Sequence, residues 1–339
     1  MKADIETLVE LIVCRARVDK TAPDSESLRN GWRTDALLQD ADAYVWGGLK
    51  QPGVLAEIGR RVSAQVQDLP EIAALAELTA FRGERLLVLN QERQEGLAMA
   101  AEELGQAISA LSEGTRKLRC WSLLHYHVGI FAEACGRFDV AAELQGQSAE
   151  EAGRLKDRAG VAIARFCEAW NRFKDALVRA EEGTNFDAYF SALENAFGGL
   201  QSDLAGSSLQ VQWAEANCPA SMIEACVWLG KHPDVNKWGT WIQTTLAASK
   251  KLGAAFAPSA QLMRALDWAY LDDARAGEAL ADVASSEYTP EIRATAMLVL
   301  ARLAMRAGAR EKAEKIIAKM PVEGTQHICA IARRLLDTK

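Results

Sequence analysis

The sequence predicts an all-α protein built from short antiparallel helices. Three observations carry that prediction. Apolar residues recur every three to five positions along most of the chain, glycines punctuate it at helix-length intervals, and no alternating run marks a strand. Proline is scarce, at 8 of 339 residues, and alanine is abundant, a bias that favours helix.

The elements follow in order. A first helix is predicted over about residues 3–18, then the polar stretch DKTAPDSESLRNGWR makes a loop at 19–33. Residues 1–69 form an N-terminal helical cap region, and 70–339 form the main array. In PEIAALAELTAFRGERLLVL, the residues Ile72, Leu75, Leu78, Phe81, Leu86 and Leu89 mark one apolar face. In TPEIRATAMLVLARLAMRAG, Ile292, Met297, Leu300, Leu303 and Ala304 do the same. Breaks are expected at Gly53, Gly114, Gly136, Gly183, Gly206, Gly230, Gly253, Gly308 and Gly324.

Composition bounds the function. The net charge of −7 does not suit a chain that wraps a polyanion. From Glu291 to Lys339, however, ten Lys/Arg stand against five Asp/Glu, so this end carries +5 and the remainder −12. Pairs such as Glu311–Lys315, spaced i,i+4, describe a solvated helix face. No aromatic stacking platform accompanies the basic end, so nucleic acid is not the expected partner. The seven cysteines are Cys14, Cys120, Cys135, Cys167, Cys218, Cys226 and Cys329. Their odd number and irregular spacing predict reduced, mostly buried thiols and a cytoplasmic protein. The segment MKADIETLVELIVCRARVDK lacks a signal-peptide layout, and no apolar run approaches the ~18 residues of a membrane span.

The stretch CWSLLHYHVGIFAEACGRFDVA holds Cys120, His125, His127 and Cys135. On one helix, His125 and His127 point about 200° apart and the two cysteines lie about 20 Å apart. These four do not converge on one metal ion.

The same stretch places Gly129 seven residues before Gly136, followed by Phe138 and Ala141. A second set is Ala301, Gly308 and Ala313, closed by Pro321, with Arg310 in the position of Phe138. Small residues let two helices cross closely, a turn residue tolerates positive φ, and a large residue plugs the gap to the next hairpin. This pattern resembles the tetratricopeptide repeat. Weaker echoes centre on Gly183, Gly230 and Asp272, so the resemblance covers about residues 70–337. Turn-to-turn spacings of 47, 47, 42 and 36 exceed the family period of about 34.

The resemblance implies a right-handed α-α superhelix, a solenoid of antiparallel hairpins whose concave face is lined by the first helix of each. Inward residues are then Leu123, Tyr126, Ile130 and Glu133; Trp170, Phe173, Leu177 and Ala180; and Thr295, Leu298, Arg302 and Met305. Few of these are Lys, Arg or Asn, so the basic clamp of relatives that grip C-terminal carboxylates is not expected. Five of nine tryptophans fall in 213–268, and Trp238 and Trp241 share a helix face. They serve either as an aromatic groove or as inter-hairpin packing.

No catalytic motif accompanies this. GxxxxGK[ST], GxGxxG, HExxH, CxxC and GxSxG are all missing, and four histidines leave few general bases. Glu102–Glu103, Glu150–Glu151 and Glu181–Glu182 read as solvated helix faces. In NCPAS, Pro219 fits a first helical position, which puts Cys218 at an N-cap where the helix dipole lowers a thiol pKa. The expected function is therefore non-enzymatic, without cofactor or metal. The chain is read as an adaptor or regulatory subunit that binds a protein or peptide in its groove. A ligand- or peptide-sensing module is the alternative, and a thiol switch at Cys218 a further one. Oligomeric state and partner identity stay open.

Overall fold

A computed structural model of the chain describes residues 5–19, 38, 41, 52–85, 91–180, 184–203, 209–252, 257–322 and 324–337. Among these, fifteen helices follow one another and no strand occurs. They are α1 (Ile5–Asp19), α2 (Pro52–Gln65), α3 (Pro70–Arg85), α4 (Gln91–Ser109), α5 (Thr115–Ala134), α6 (Phe138–Arg154), α7 (Arg158–Arg179), α8 (Phe186–Asp203), α9 (Leu209–Leu229), α10 (Val235–Leu252), α11 (Ala257–Tyr270), α12 (Ala276–Ser285), α13 (Pro290–Arg306), α14 (Arg310–Ile317) and α15 (Gln326–Asp337). The all-α class is thus as expected. The polar loop and three of the expected breaks, Gly183, Gly206 and Gly253, lie outside the described residues.

Most turns that can be compared fall at the expected residues. Gly136, Gly230 and Gly308 have φ of +74°, +67° and +72°. Each ends its helix with the same pair of backbone bonds. Gly136 N–H reaches Glu133 O at 2.9 Å while Arg137 N–H reaches Ala132 O at 2.9 Å, and the pattern recurs at Gly230 and Gly308. This Schellman closure satisfies carbonyls that the helix end leaves unpaired. Asp272 (φ 53°) and Lys156 (φ 58°) close α11 and α6 in the same way, without glycine. Gly53 is different: it lies inside α2 rather than at a break.

The chain divides into two compact units. The first comprises Met1–Val128, Gly146–Val161 and Gly206–Leu209; the second comprises Gly129–Gln145, Ala162–Ala205 and Gln210–Lys339. The expected division at residue 69 falls in the turn between α2 and α3. Those two helices pack on each other.

In the first unit, α2 and α3 approach until backbone meets backbone. A Cβ on Gly59 would stand 2.5 Å from Ala76 O, and one on Gly83 would stand 2.4 Å from Ala56 N. Leu55, Ile58 and Val62 from α2 and Leu75, Leu78 and Phe81 from α3 fill the buried core around that crossing. Further along, Ser122 of α5 and Ser148 of α6 bond each other's backbone carbonyls, at 3.3 and 2.9 Å.

In the second unit, small residues occupy the expected crossings. Gly129 lies against Gln145, whose Nε2 would be 2.7 Å from an added Cβ. Phe138 and Ala141 are buried, and Ala301, Ala304 and Ala313 cluster where α13 meets α14. The α11–α12, α12–α13, α13–α14 and α14–α15 pairs pack in series, and α13 also packs on α11 and α15. No helix among the described residues is long and apolar enough to cross a membrane.

Candidate functional site

The second unit holds two places where chemistry concentrates. The first is a cleft formed by the end of α9, the start of α10, the end of α11 and the C-terminal half of α13. Leu266, Ala269, Val299 and Leu303 supply apolar wall. The floor is aromatic: Tyr270 stacks on Trp238 at 4.5 Å and 13°, and His232 tilts against Tyr270 at 5.8 Å. Both rings are pinned by their polar ends. Tyr270 Oη donates to Pro233 O at 2.6 Å, and Trp238 Nε1 donates to Asp267 Oδ1 at 3.0 Å.

Cations border this cleft. Arg302 crosses from α13 and donates to the carbonyls of Val227 and Trp228, the latter at 2.7 Å. A guanidinium at these last carbonyls offsets the negative end of the α9 dipole. Burial first, and then the neighbouring Arg306 charge, lower the Arg302 pKa to about 10. Lys231 also lines the cleft, paired with Asp187 at 2.6 Å and lying over Phe190.

The second place is a buried cluster around Lys174 of α7, whose side chain is 1% exposed. Its Nζ sits 2.8 Å from Glu133 Oε1 and 2.6 Å from Glu291 Oε1. It also lies over the Trp170, Phe138 and Trp228 rings at 4.8, 5.5 and 5.8 Å. Trp170 Nε1 donates to Glu133 Oε1 at 3.0 Å, and Trp228 Nε1 to Thr295 Oγ1 at 3.1 Å. Burial opposes the Lys174 charge, but Glu133 and Glu291 outweigh it and hold the ammonium above its ordinary range. Burial likewise opposes ionisation of Glu291, yet Lys174 and His327 pull its pKa down to about 2. At Glu224 the balance is reversed: burial, then the Glu291 charge, outweigh Lys174 and raise its pKa to about 8. His327 is fully buried 3.6 Å from Glu291, edge-on to Trp228 and Phe138, and burial lowers its pKa.

The residues expected to line a groove are distributed as follows. Trp238 and Arg302 meet in the cleft, and Glu133, Trp170 and Phe173 meet around Lys174. Leu123 and Tyr126 lie in the first unit and Ile130 in the second, all half-buried. Trp170, Phe173, Leu177, Trp238 and Trp241 are buried, and of these Trp238 also lines the cleft. Trp241 stands edge-on to Phe197 at 6.1 Å. Trp213 is among the residues whose side chains lie outside the description.

The thiol expectation is corrected. Pro219 lies inside α9, which runs unbroken from Leu209 to Leu229, so Cys218 is not an N-cap. Cys218 is 4% exposed and burial pushes its thiol well above the ordinary value. Burial also raises Cys167 and Cys226 to about 12. The His/Cys stretch makes no metal centre: His125 bonds Glu151 at 3.0 Å, whereas His127 is buried, its pKa lowered by burial and then by Arg82. Among the described residues, no group of three or more His, Cys, Asp or Glu side chains is placed to hold a metal ion. Of the C-terminal cations, Arg310 donates to Leu336 O and Arg334 to Leu177 O.

Sequence reasoning passed over Lys174, Glu224, Glu291 and His327. One signal was available. In WNRFKDALV, Lys174 follows Trp170 by four and precedes Leu177 by three, so a lysine stands on the apolar face of α7. Its acidic partners come from distant segments and leave no local mark. No protein-family model matches this sequence, and no curated protein matches it.

Proposed function

We propose that the chain is a non-enzymatic interaction protein, an adaptor or regulatory subunit whose tetratricopeptide-like hairpins bind a protein or peptide partner in the cytoplasm. The hairpins would continue as a right-handed superhelix, with the first helix of each facing the partner. The observation that carries this reading is the recurrence of one hairpin closure. Gly136, Gly230, Asp272 and Gly308 end their helices with the same two backbone bonds. At Gly129 and Ala301, small residues sit at the ensuing crossings. Serial hairpins of this type present extended surfaces for partners. The step from such a scaffold to binding is an analogy of architecture.

Photocrosslinking tests it. A benzoylphenylalanine placed at half-buried Leu123, Tyr126 or Met305, all on the inward face of this reading, should yield a discrete protein adduct in native extract. The same group at exposed Tyr189 or Val235 should not. Equal adducts from both sets, or none from the first, would reject the concave-face assignment.

A further inference from the structure

We infer that Glu133, Glu224 and Glu291, gathered around Lys174, form a subsite for a cationic side chain, lysine or arginine, of the protein or peptide partner. This rests on the partner-binding reading above and names the chemistry of one of its contacts. All four residues belong to the second unit. Glu133 is one of the inward positions of that reading, and Glu291 lies one turn before another, Thr295.

The balance of charge selects a cation. Lys174 serves Glu133 at 2.8 Å and Glu291 at 2.6 Å, and Glu224 adds a third carboxyl to that single ammonium. Burial lowers the pKa of His327, so the imidazole supplies no second charge. A further cation therefore meets net attraction in spite of Lys174, whereas an anion meets repulsion. The wider field has the same sign: residues 1–290 carry −12, which draws a basic partner towards this part of the chain.

The hydrogen bonds point the same way. Glu133 uses both oxygens: Oε1 accepts from Lys174 and Trp170, and Oε2 from Asn171 Nδ2 at 3.4 Å. Glu291 meets Lys174 and His327 through Oε1 alone. Among the described residues, no hydrogen bond reaches Glu291 Oε2 or the Glu224 carboxyl. A neutral group gives an independent sign. Asn171 is 0% exposed, and its Nδ2 donates to Cys167 O at 2.9 Å as well as to Glu133. Its Oδ1 is left buried beside the cluster with no donor. The cluster thus has acceptors to spare and is short of donors, of which a lysine brings three and an arginine five. Access needs no closed cavity. The Glu291 side chain is 32% exposed and that of Glu133 19%, and Glu224 is half-buried, so a cationic head meets these carboxyls from solvent.

Binding of the full chain to immobilised pools of octapeptides, blocked at both ends, tests the inference. The pools share random flanks and differ at one central position: lysine, arginine, norleucine, citrulline or glutamate. The lysine or the arginine pool should bind about tenfold more tightly than its neutral counterpart, norleucine or citrulline, the difference expected of one charge-assisted contact. Glu224→Gln should abolish that preference while melting as a folded protein. Glu102→Gln, exposed on α4, changes the net charge equally and should leave the preference intact. Equal binding of charged and neutral pools, or a preference that survives in Glu224→Gln, overturns the inference, as does binding of no pool. If adducts form at Leu123, Tyr126 or Met305 while the pools show no preference, the partner reading stands and the cationic subsite alone falls. Calorimetric titration with n-pentylamine separates sources. If it binds the parent and not Glu224→Gln while no pool binds, the cation belongs to a small amine and the peptide assignment is wrong.

Discussion

At the α2–α3 crossing of the first unit, backbone meets backbone; around Lys174 in the second, charge meets charge. Gly59 and Gly83 leave room for nothing larger than hydrogen against Ala76, Ala80 and Ala56. That fit is steric and holds at any pH. The Lys174 cluster is also buried, yet it fixes α7 through ion pairs to Glu133 of α5 and Glu291 of α13 and through the Trp228 ring of α9. The apolar crossing locates two helices by shape alone. The polar core specifies which helices meet, because an ammonium without Glu133 and Glu291 would be stranded in a dry site.

The largest expected effect comes from stranding those partners. Lys174→Met should destabilise the chain by about 3–5 kcal/mol, because two carboxylates lose their compensating charge. Neutralising the set should restore most of this: the triple variant K174M/E133Q/E291Q should lie within about 1–2 kcal/mol of the parent, since well-packed neutral groups often replace a buried ion cluster at little cost. Denaturant titration followed by tryptophan fluorescence reads both, because Trp170 and Trp228 stack beside the ammonium at a centroid distance of 5.0 Å. A single variant without cost, or a triple variant no better than the single, would show that the cluster is not what ties these helices together.

The steric side of the comparison comes next in size. Gly59→Ala and Gly83→Ala should each cost about 1–3 kcal/mol, the range for overpacking, because the obstructing atoms are backbone and cannot rotate away. Gly96→Ala supplies the control. It lies in α4 of the same unit with nothing within 4 Å of its would-be Cβ, so alanine should be stabilising by about 0.5–1 kcal/mol. Thermal unfolding of the three variants should therefore split in sign. If all three behave alike, the close approach of α2 and α3 is mistaken.

How far the sequence disclosed these features differs between the two units. Turn glycines were legible because positive φ is a local demand that few residues meet: Gly136, Gly230 and Gly308 meet it, and Asp272 was found by spacing. Lys156 was not, because a lysine with φ of 58° carries no sign of it in sequence. The continuity of α9 was misread for a definite reason. Pro219 costs a backbone bond, but Ala216, Cys218, Ala220, Met222 and Ile223 are all buried around it, and that packing overrides the local preference. In the candidate cleft, Trp238 and Arg302 were singled out in advance for other reasons. Arg306, Lys231 and Tyr270 were not, since a cleft is made by four helices meeting and no single helix encodes it. The α2–α3 crossing was hidden too, because Gly59 and Gly83 look like weak points in helices until the opposing backbone is in place.

The smallest effect expected isolates the carboxyl of the polar core on which burial and Glu291 outweigh Lys174. Glu224 titrates near 8 in the folded chain against an ordinary 4.5, through burial first and Glu291 second. A raised acid pKa means that the folded state holds a proton which the unfolded chain releases. The stabilisation is therefore complete below pH 4.5, declines as pH rises, and is gone above about 8. Glu224→Gln keeps the neutral form at every pH. Its melting temperature should match the parent near pH 5 and exceed it by about 2–4 °C at pH 8.5, which corresponds to about 1 kcal/mol for a half-buried group that solvent partly screens. Glu291, held at about 2, and Lys174, held above its ordinary range, keep their charges from pH 5 to pH 8.5. The apolar crossing offers the matching control: Gly59→Ala should differ from the parent by the same amount at pH 5 and pH 8.5. A pH-independent Glu224→Gln difference would mean that the carboxyl reaches water or a cation, and that the charge-based core is as insensitive to pH as the steric one.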